Sequence, residues 1–183
     1  AQLEAVINEV QAVFGAWTAD TTLPQMRKDW DDIFSRNPVD NGATAEPVSL
    51  GGVPALRLSA PAAAPDRAVL YLHGGGYVFG SSRSHADIGK LLSQEAAAQV
   101  YVLDYRLAPE HPFPAATDDA LAAYRALLAQ GFAPSRLAIS GDSAGGGLTL
   151  ATLIAIREAG LPRPACAVPL SPWADMACDG DSF

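Results

Sequence analysis

Gly141-Asp142-Ser143-Ala144-Gly145 sets a serine between two glycines, with one residue on either side. In a sharp turn from a strand into a helix, such a serine is lifted clear of its surroundings and can attack an electrophilic carbonyl carbon. Side chains in place of Gly141 and Gly145 would run into neighbouring backbone. A helix opening at Ala144 would favour negative charge developing on the attacked group. Two glycines and a serine recur by chance, so the pentapeptide alone leaves an ordinary glycine-rich turn open.

A second run narrows the choice. His73-Gly74-Gly75-Gly76 directly follows the apolar stretch Ala68-Val69-Leu70-Tyr71-Leu72. Glycines leave backbone N–H groups free to point at a substrate oxygen, as in oxyanion loops of the H-G-G-G type. A flexible loop or a phosphate cradle would also use glycines. No Lys-Ser/Thr pair closes this run, and Phe79 stands where G-x-G-x-x-G needs its last glycine, so a phosphate cradle is disfavoured. An oxyanion loop after one strand and a serine turn after a later one, in that order, define a candidate acyl-transfer site.

These segments need a scaffold. Leu3, Val6, Ile7, Val10, Val13 and Phe14 recur at helical spacing, predicting a first helix up to Gly15. A second starts at Thr22, with Gln25 placed for a capping box, and stops at Asn37-Pro38. Val48 to Leu50 and Val53 to Leu58 flank Gly51-Gly52, a hairpin turn. Residues 60–65 read as a Pro/Ala loop. Strands at 68–72, 100–103, 137–139 and 165–170 then alternate with helices at 88–98, 118–128 and 144–159. Continuous apolar strands separated by helices mean a mostly parallel sheet buried on both faces, with the hairpin adding antiparallel strands at one edge.

Five motifs in order carry a resemblance: His73-Gly74-Gly75-Gly76-Tyr77, Asp104-Tyr105-Arg106-Leu107-Ala108-Pro109-Glu110, Phe113-Pro114-Ala115-Ala116, Gly141-Asp142-Ser143-Ala144-Gly145-Gly146 and Ser171-Pro172-Trp173. From about Val48 onward the chain resembles the hormone-sensitive-lipase-like family of α/β-hydrolases, bacterial carboxylesterases among them. The resemblance implies an α/β-hydrolase fold, broken off after the strand at 165–170, as residues 41–183. Residues 1–40 look like the N-terminal part of that family's cap. It implies Ser143 as nucleophile and an oxyanion hole made by the N–H of Ala144 and two N–H groups of the glycine loop. Gly75 and Gly76 are favoured there over Gly74. His73 is expected to brace the loop, and Asp142 to shape the turn. Arg106 and Glu110 are expected in internal ion pairs, and Trp173 is expected to be buried. The reaction implied is hydrolysis of small to medium acyl esters, without metal or organic cofactor.

A triad also needs a histidine base and an acid, in the order serine, acid, histidine. His73, His85 and His111 all precede Ser143, and Glu158, Asp175, Asp179 and Asp181 lie in no segment like the family's acid motif. The expectation is a C-terminal portion supplied in the working protein, by a fragment of the same protein or by another copy. The apolar, uncharged strand at 165–170 would otherwise be an unguarded sheet edge. A nicked enzyme, an inactive fragment and a non-catalytic small-molecule-binding module of the same fold compete with that reading, as does an assembly piece joined through the edge strand.

Composition sets the outer limits. Of 183 residues 49% are hydrophobic and only 17% charged, which fits a globular chain with an apolar face to cover. A formal net charge of -8 argues against nucleic acid and anionic membrane surfaces as partners. No apolar run approaches a membrane span, and the N-terminus lacks a secretory pattern, so a cytoplasmic location is expected. Cys166 and Cys178 have neither metal nor redox spacing and are expected as one buried and one free thiol.

Overall fold

The computed structural model of the chain describes residues 2–36 and 38–177. Two helices, α1 (Gln2–Gly15) and α2 (Leu23–Phe34), precede a hairpin of β1 (Thr44–Leu50) and β2 (Val53–Ser59). Then come β3 (Ala64–Leu72), α3 (Ala86–Ala96), β4 (Ala98–Leu103), α4 (Ala115–Ala129), β5 (Leu137–Asp142), α5 (Ala144–Glu158) and β6 (Cys166–Leu170). The strands form one sheet in the order β1-β2-β4-β3-β5-β6. Pairings among β4, β3, β5 and β6 are parallel, and β2 runs antiparallel to both its neighbours. This is the mostly parallel sheet with an antiparallel hairpin at one edge that the alternating pattern implied.

The period-two geometry of strands explains why the central ones read as unbroken apolar runs. Leu70 and Leu72 of β3 enter a cluster with Tyr124 and Leu127 of α4 and Leu148 and Ile156 of α5. Val69 and Tyr71, one residue out of step, enter a second cluster with Leu58, Val100 and Val102 on the face covered by α3. Full burial of each such side chain contributes roughly 1.5–3 kcal/mol.

Differences from the sequence expectation are local and have physical causes. Thr22 is the N-cap of α2 with extended backbone, but its side chain makes no capping bond. Gln25 instead donates to Asp29 Oδ1 at 2.7 Å, one turn along the helix, so the capping box does not form. Asn37 lies outside the described residues. The Pro/Ala loop is shorter than expected because β3 already starts at Ala64, with a register irregularity before Ala68. Both turn glycines of the hairpin have positive φ, 62° and 91°, as a tight two-residue turn requires. A Cβ on Gly51 would also strike the carbonyl of Ala122 in α4.

The edge strand β6 differs from its expected description in one respect: Pro169 sits within it, and proline is a residue natural sheet edges use. Cys166 is exposed and free, and Cys178, the other of the two thiols, lies outside the described residues. Among the described residues no helix is long and apolar enough to cross a membrane.

Candidate active site

Ser143 occupies the junction of β5 and α5 with φ 52° and ψ -117°, a conformation L-residues rarely adopt. Its surroundings hold it there. Its N–H donates to the Leu170 carbonyl of β6 at 2.9 Å, and its carbonyl accepts from Trp173 N–H at 2.8 Å and Gly147 N–H at 3.0 Å. A Cβ on Gly145 would run into the carbonyl oxygens of Leu72 and His73, and one on Gly141 into those of Leu72 and Gly145. Glycine at both positions is therefore a condition for the turn to sit against the end of β3.

That contact also brings the glycine loop to the serine turn. Gly74 N–H donates to Asp142 Oδ1 at 3.0 Å, and the Tyr71 hydroxyl donates to the same oxygen at 2.9 Å. His85 Nε2 lies 3.5 Å from it. Burial pushes the Asp142 carboxyl up, but His85, Tyr71 and Gly74 N–H outweigh burial and leave it below the ordinary carboxylate range. The Gly74 N–H is thereby spent on a carboxylate. The N–H groups of Gly75 and Gly76 have no acceptor among the described residues. The N–H of Ala144, first in its helix, has no intrahelical acceptor by position.

Peptide planarity fixes where the two glycine N–H groups point. The Gly74 carbonyl and the Gly75 N–H share one rigid plane and face opposite ways, and that carbonyl is held by His73 Nδ1 at 2.8 Å. Because a carbonyl only accepts, Nδ1 carries the proton and Nε2 is left bare; Nε2 is buried without a partner. Burial first, then the neighbouring His85, lowers the His73 pKa to about 3, so the ring stays neutral. His73 also stacks on Tyr105, with ring centroids 4.2 Å apart, while the Tyr105 hydroxyl donates to the His73 carbonyl at 2.6 Å. In the next plane, Gly75 O accepts from Val78 N–H at 3.0 Å and Phe79 N–H at 2.8 Å, which sets the Gly76 N–H facing away.

The expected ion pairs are present. Arg106 grips Asp119 through Nε and Nη2, and Glu110 pairs with Arg27 of α2. Trp173 is half-buried at the rim of a cleft of about 530 Å³, which Tyr77, Phe113, Gly147, Ile154 and Met176 also line. Gly147 and Trp173 connect this cleft to Ser143 through the bonds just described. Sequence reasoning missed Tyr71 and His85 as partners of Asp142, and Arg27 as the partner of Glu110. Those pairs are 71, 57 and 83 residues apart, and a lone charged or aromatic residue at such separation carries no spacing signal. No histidine is hydrogen-bonded to the Ser143 hydroxyl among the described residues. Nor do those residues contain a cluster of three metal-ligating side chains.

A strained serine between β5 and α5, with a glycine loop packed on it from the end of β3, makes an elbow-type turn on a mostly parallel α/β sheet. The chain belongs to the α/β-hydrolase fold family, whose sequence pattern matches residues 69–183. An acetyl-hydrolase of Streptomyces hygroscopicus is 55% identical over 122 residues, which are 67% of this chain and 41% of that protein. An ethyl acetate hydrolase of Pseudomonas putida is 46% identical over 118 residues, 61% of this chain and 36% of that one. Among solved structures, an esterase of the bacterial hormone-sensitive lipase family superposes with a TM-score of 0.93 at 46% identity, covering 99% of this chain and 60% of its own. The chain thus spans less than half the length of these two curated relatives, and the resemblance to the hormone-sensitive-lipase-like branch is borne out.

Proposed function

We propose that this chain supplies the nucleophile and oxyanion machinery of a serine carboxylic ester hydrolase. The observation that carries this is the strained Ser143 turn lying against a loop whose Gly75 and Gly76 N–H groups are unspent. Ser143 Oγ attacks the ester carbonyl carbon as its proton passes to a base, and the carbonyl π pair moves onto oxygen. The N–H groups of Ala144, Gly75 and Gly76 hold that oxyanion, without Gly74. Collapse expels the alcohol, which takes the proton, and water then cleaves the acyl-enzyme by the same sequence. His73 and Asp142 position the loop and touch no reacting atom.

The substrates are small to medium acyl esters. Two relatives named for acetyl and ethyl acetate hydrolysis support the short end of that range. The apolar cleft beside Gly147 and Trp173 takes the hydrocarbon part of the ester. The N-terminal helices, residues 1–40, act as part of a cap, and residues 41–183 as part of the hydrolase core. The base and acid come from a C-terminal portion, on a fragment of the same protein or another copy. His73, buried with Nδ1 on the Gly74 carbonyl and Nε2 without a partner, is not bonded to Ser143, and His85 is turned toward Ser84 and Asp142. An exposed free thiol at Cys166 fits a reducing, cytoplasmic compartment, which cell fractionation tests. A non-catalytic ligand-binding module is the second reading, favoured by the absence among the described residues of a histidine bonded to Ser143.

Fluorophosphonate labelling and short-chain aryl ester turnover separate the two. Residues 1–183 alone should turn over esters very slowly, keeping roughly a thousandfold advantage over water from binding and the oxyanion site. Adding the C-terminal portion should restore full turnover, and Ser143→Ala should remove both activity and label. Full turnover by residues 1–183 alone would refute the need for that portion. No label and no turnover after complementation would leave the binding module.

A further inference from the structure

Arg27 lies on α2, half-buried and remote in sequence from every motif. Its guanidinium nonetheless holds two separate segments, one at Val78 and one spanning Ala108 and Glu110. Nε donates to the Val78 carbonyl, Nη2 to the Ala108 carbonyl, and Nη1 and Nη2 grip the two Glu110 oxygens, all at 2.8 Å. The planar fork makes this possible, since a lysine ammonium cannot reach divergent acceptors in one plane. Arg27 holds the Glu110 carboxyl down at a pKa of about 2, so the grip persists across neutral pH.

The Val78 contact matters because of what shares its peptide plane. The Val78 carbonyl and the Phe79 N–H are opposite edges of one rigid unit. Phe79 N–H donates to Gly75 O at 2.8 Å, and Gly75 O shares its own plane with Gly76 N–H. Two hydrogen bonds and two rigid planes therefore lead from Arg27 to the Gly76 N–H. The N-terminal segment also holds Phe79 from its ring side, where Trp30 of α2 and Trp17 of the loop before it each stack on it at 5.5 Å. The Ala108 segment is tied in as well, because Ala108 N–H donates to the Tyr77 carbonyl at 2.8 Å.

We propose that Arg27 is a positioning residue for the Gly76 N–H, through which the N-terminal helices set the geometry of the oxyanion loop. This rests on the reading of Gly76 as an oxyanion donor. Arg27 touches no substrate; its loss frees the 78–79 plane to rotate and lets the donor wander. Misplacing a donor weakens transition-state binding more than ground-state binding, so the rate should fall while substrate affinity holds.

The test uses the complemented protein with Arg27→Gln, Arg27→Lys and Glu110→Gln, well below each variant's melting temperature. Arg27→Gln should lower kcat about tenfold with KM within about twofold. Arg27→Lys should not rescue it, because the fork and not the charge is required. Glu110→Gln should cost less, since both carbonyl bonds remain. Amide hydrogen exchange gives a readout independent of turnover: the Phe79 and Val78 amides should exchange faster in Arg27→Gln, with β3 amides unchanged. Unchanged exchange at Phe79, or an effect confined to KM, would overturn the proposal. If the unmodified complemented protein turned over no ester, the oxyanion reading would fail separately, and exchange at Phe79 would still decide the clamp.

Discussion

The sheet face that carries α3 is closed over β2, β4 and β3, buries Ser140 of β5, and is open over β6. On the closed side Val69, Tyr71, Val100 and Val102 are buried with Leu58 under α3. On the open side Cys166, Val168 and Leu170 point from the same face, and Val168 is 47% exposed. Both halves follow the same strand pattern, apolar on both faces; only the cover differs. Ser143 and the glycine loop stand at the boundary. Their positions are set mainly by β3, β5 and α5, which lie on the finished side. The N–H groups proposed to steady negative charge therefore lie on the finished side, whereas among the described residues no group that would move the proton is bonded to Ser143.

The sharpest way to break this division is Gly145→Ala. Its Cβ would enter the carbonyl oxygens of Leu72 and His73, so the serine turn would have to back away from β3. Losing alignment with the oxyanion donors should cost about a thousandfold in fluorophosphonate labelling and in complemented ester turnover. Labelling at the unmodified rate would show that the close approach is dispensable. Next in size is Leu70→Ala, at a fully buried position between α4 and α5. Urea unfolding should show a loss of about 3 kcal/mol. A loss below about 1 kcal/mol would mean that the face under α4 and α5 is loosely packed.

How much of this was legible in the sequence depends on the range of the signal. The strands β3, β4 and β5, the Gly51-Gly52 turn and the Ser143 turn announce themselves through local patterns of apolar residues and glycines. The Gly145 requirement was readable because a five-residue motif carries its own steric reason. The distribution of N–H groups was only partly so. That Gly74 is spent on Asp142, while Gly75 and Gly76 are free, depends on a carboxylate 68 residues away. The grip of Arg27 was invisible because its acceptors are mostly main-chain carbonyls, which every residue has. Trp173 was misjudged as buried because burial depends on what covers the β6 side, which residue type does not reveal.

A smaller effect follows from His73. Its folded pKa is about 3 against an unfolded value near 6.5, so the unfolded chain binds an extra proton between those limits. Stability from the neutral ring is complete above pH 6.5 and is lost as pH falls toward 3. The slope is at most about 1.4 kcal/mol per pH unit from this one group. Urea midpoints from pH 7 to pH 5 should fall less in His73→Asn than in the unmodified chain. Equal slopes would mean that His73 is not the group held neutral.

The smallest expected effect, at Val168, separates the two sides most directly when set beside its counterpart Val102. Val102, Tyr71, Ser140 and Val168 form one row across β4, β3, β5 and β6 by strand register, so both valines sit on the same sheet face. Val102 is fully buried, and Val168 is about half exposed. Serine at Val102 removes two buried methyl groups and brings a hydroxyl into the cluster under α3, which should cost about 2–4 kcal/mol. Serine at Val168 gives up much less burial, and its hydroxyl meets water, so the cost should stay below about 0.5 kcal/mol. The Val168 carbonyl already accepts from Ser140 Oγ at 2.8 Å, and the substitution leaves that backbone bond in place. The two unfolding free energies should therefore differ severalfold, although residue type and sheet face are the same. Adding the C-terminal portion should raise the cost at Val168 toward that at Val102 if that portion covers β6, and leave Val102 unchanged. A Val168→Ser cost that stays small in the complemented protein would show that this face is not where the completing portion packs.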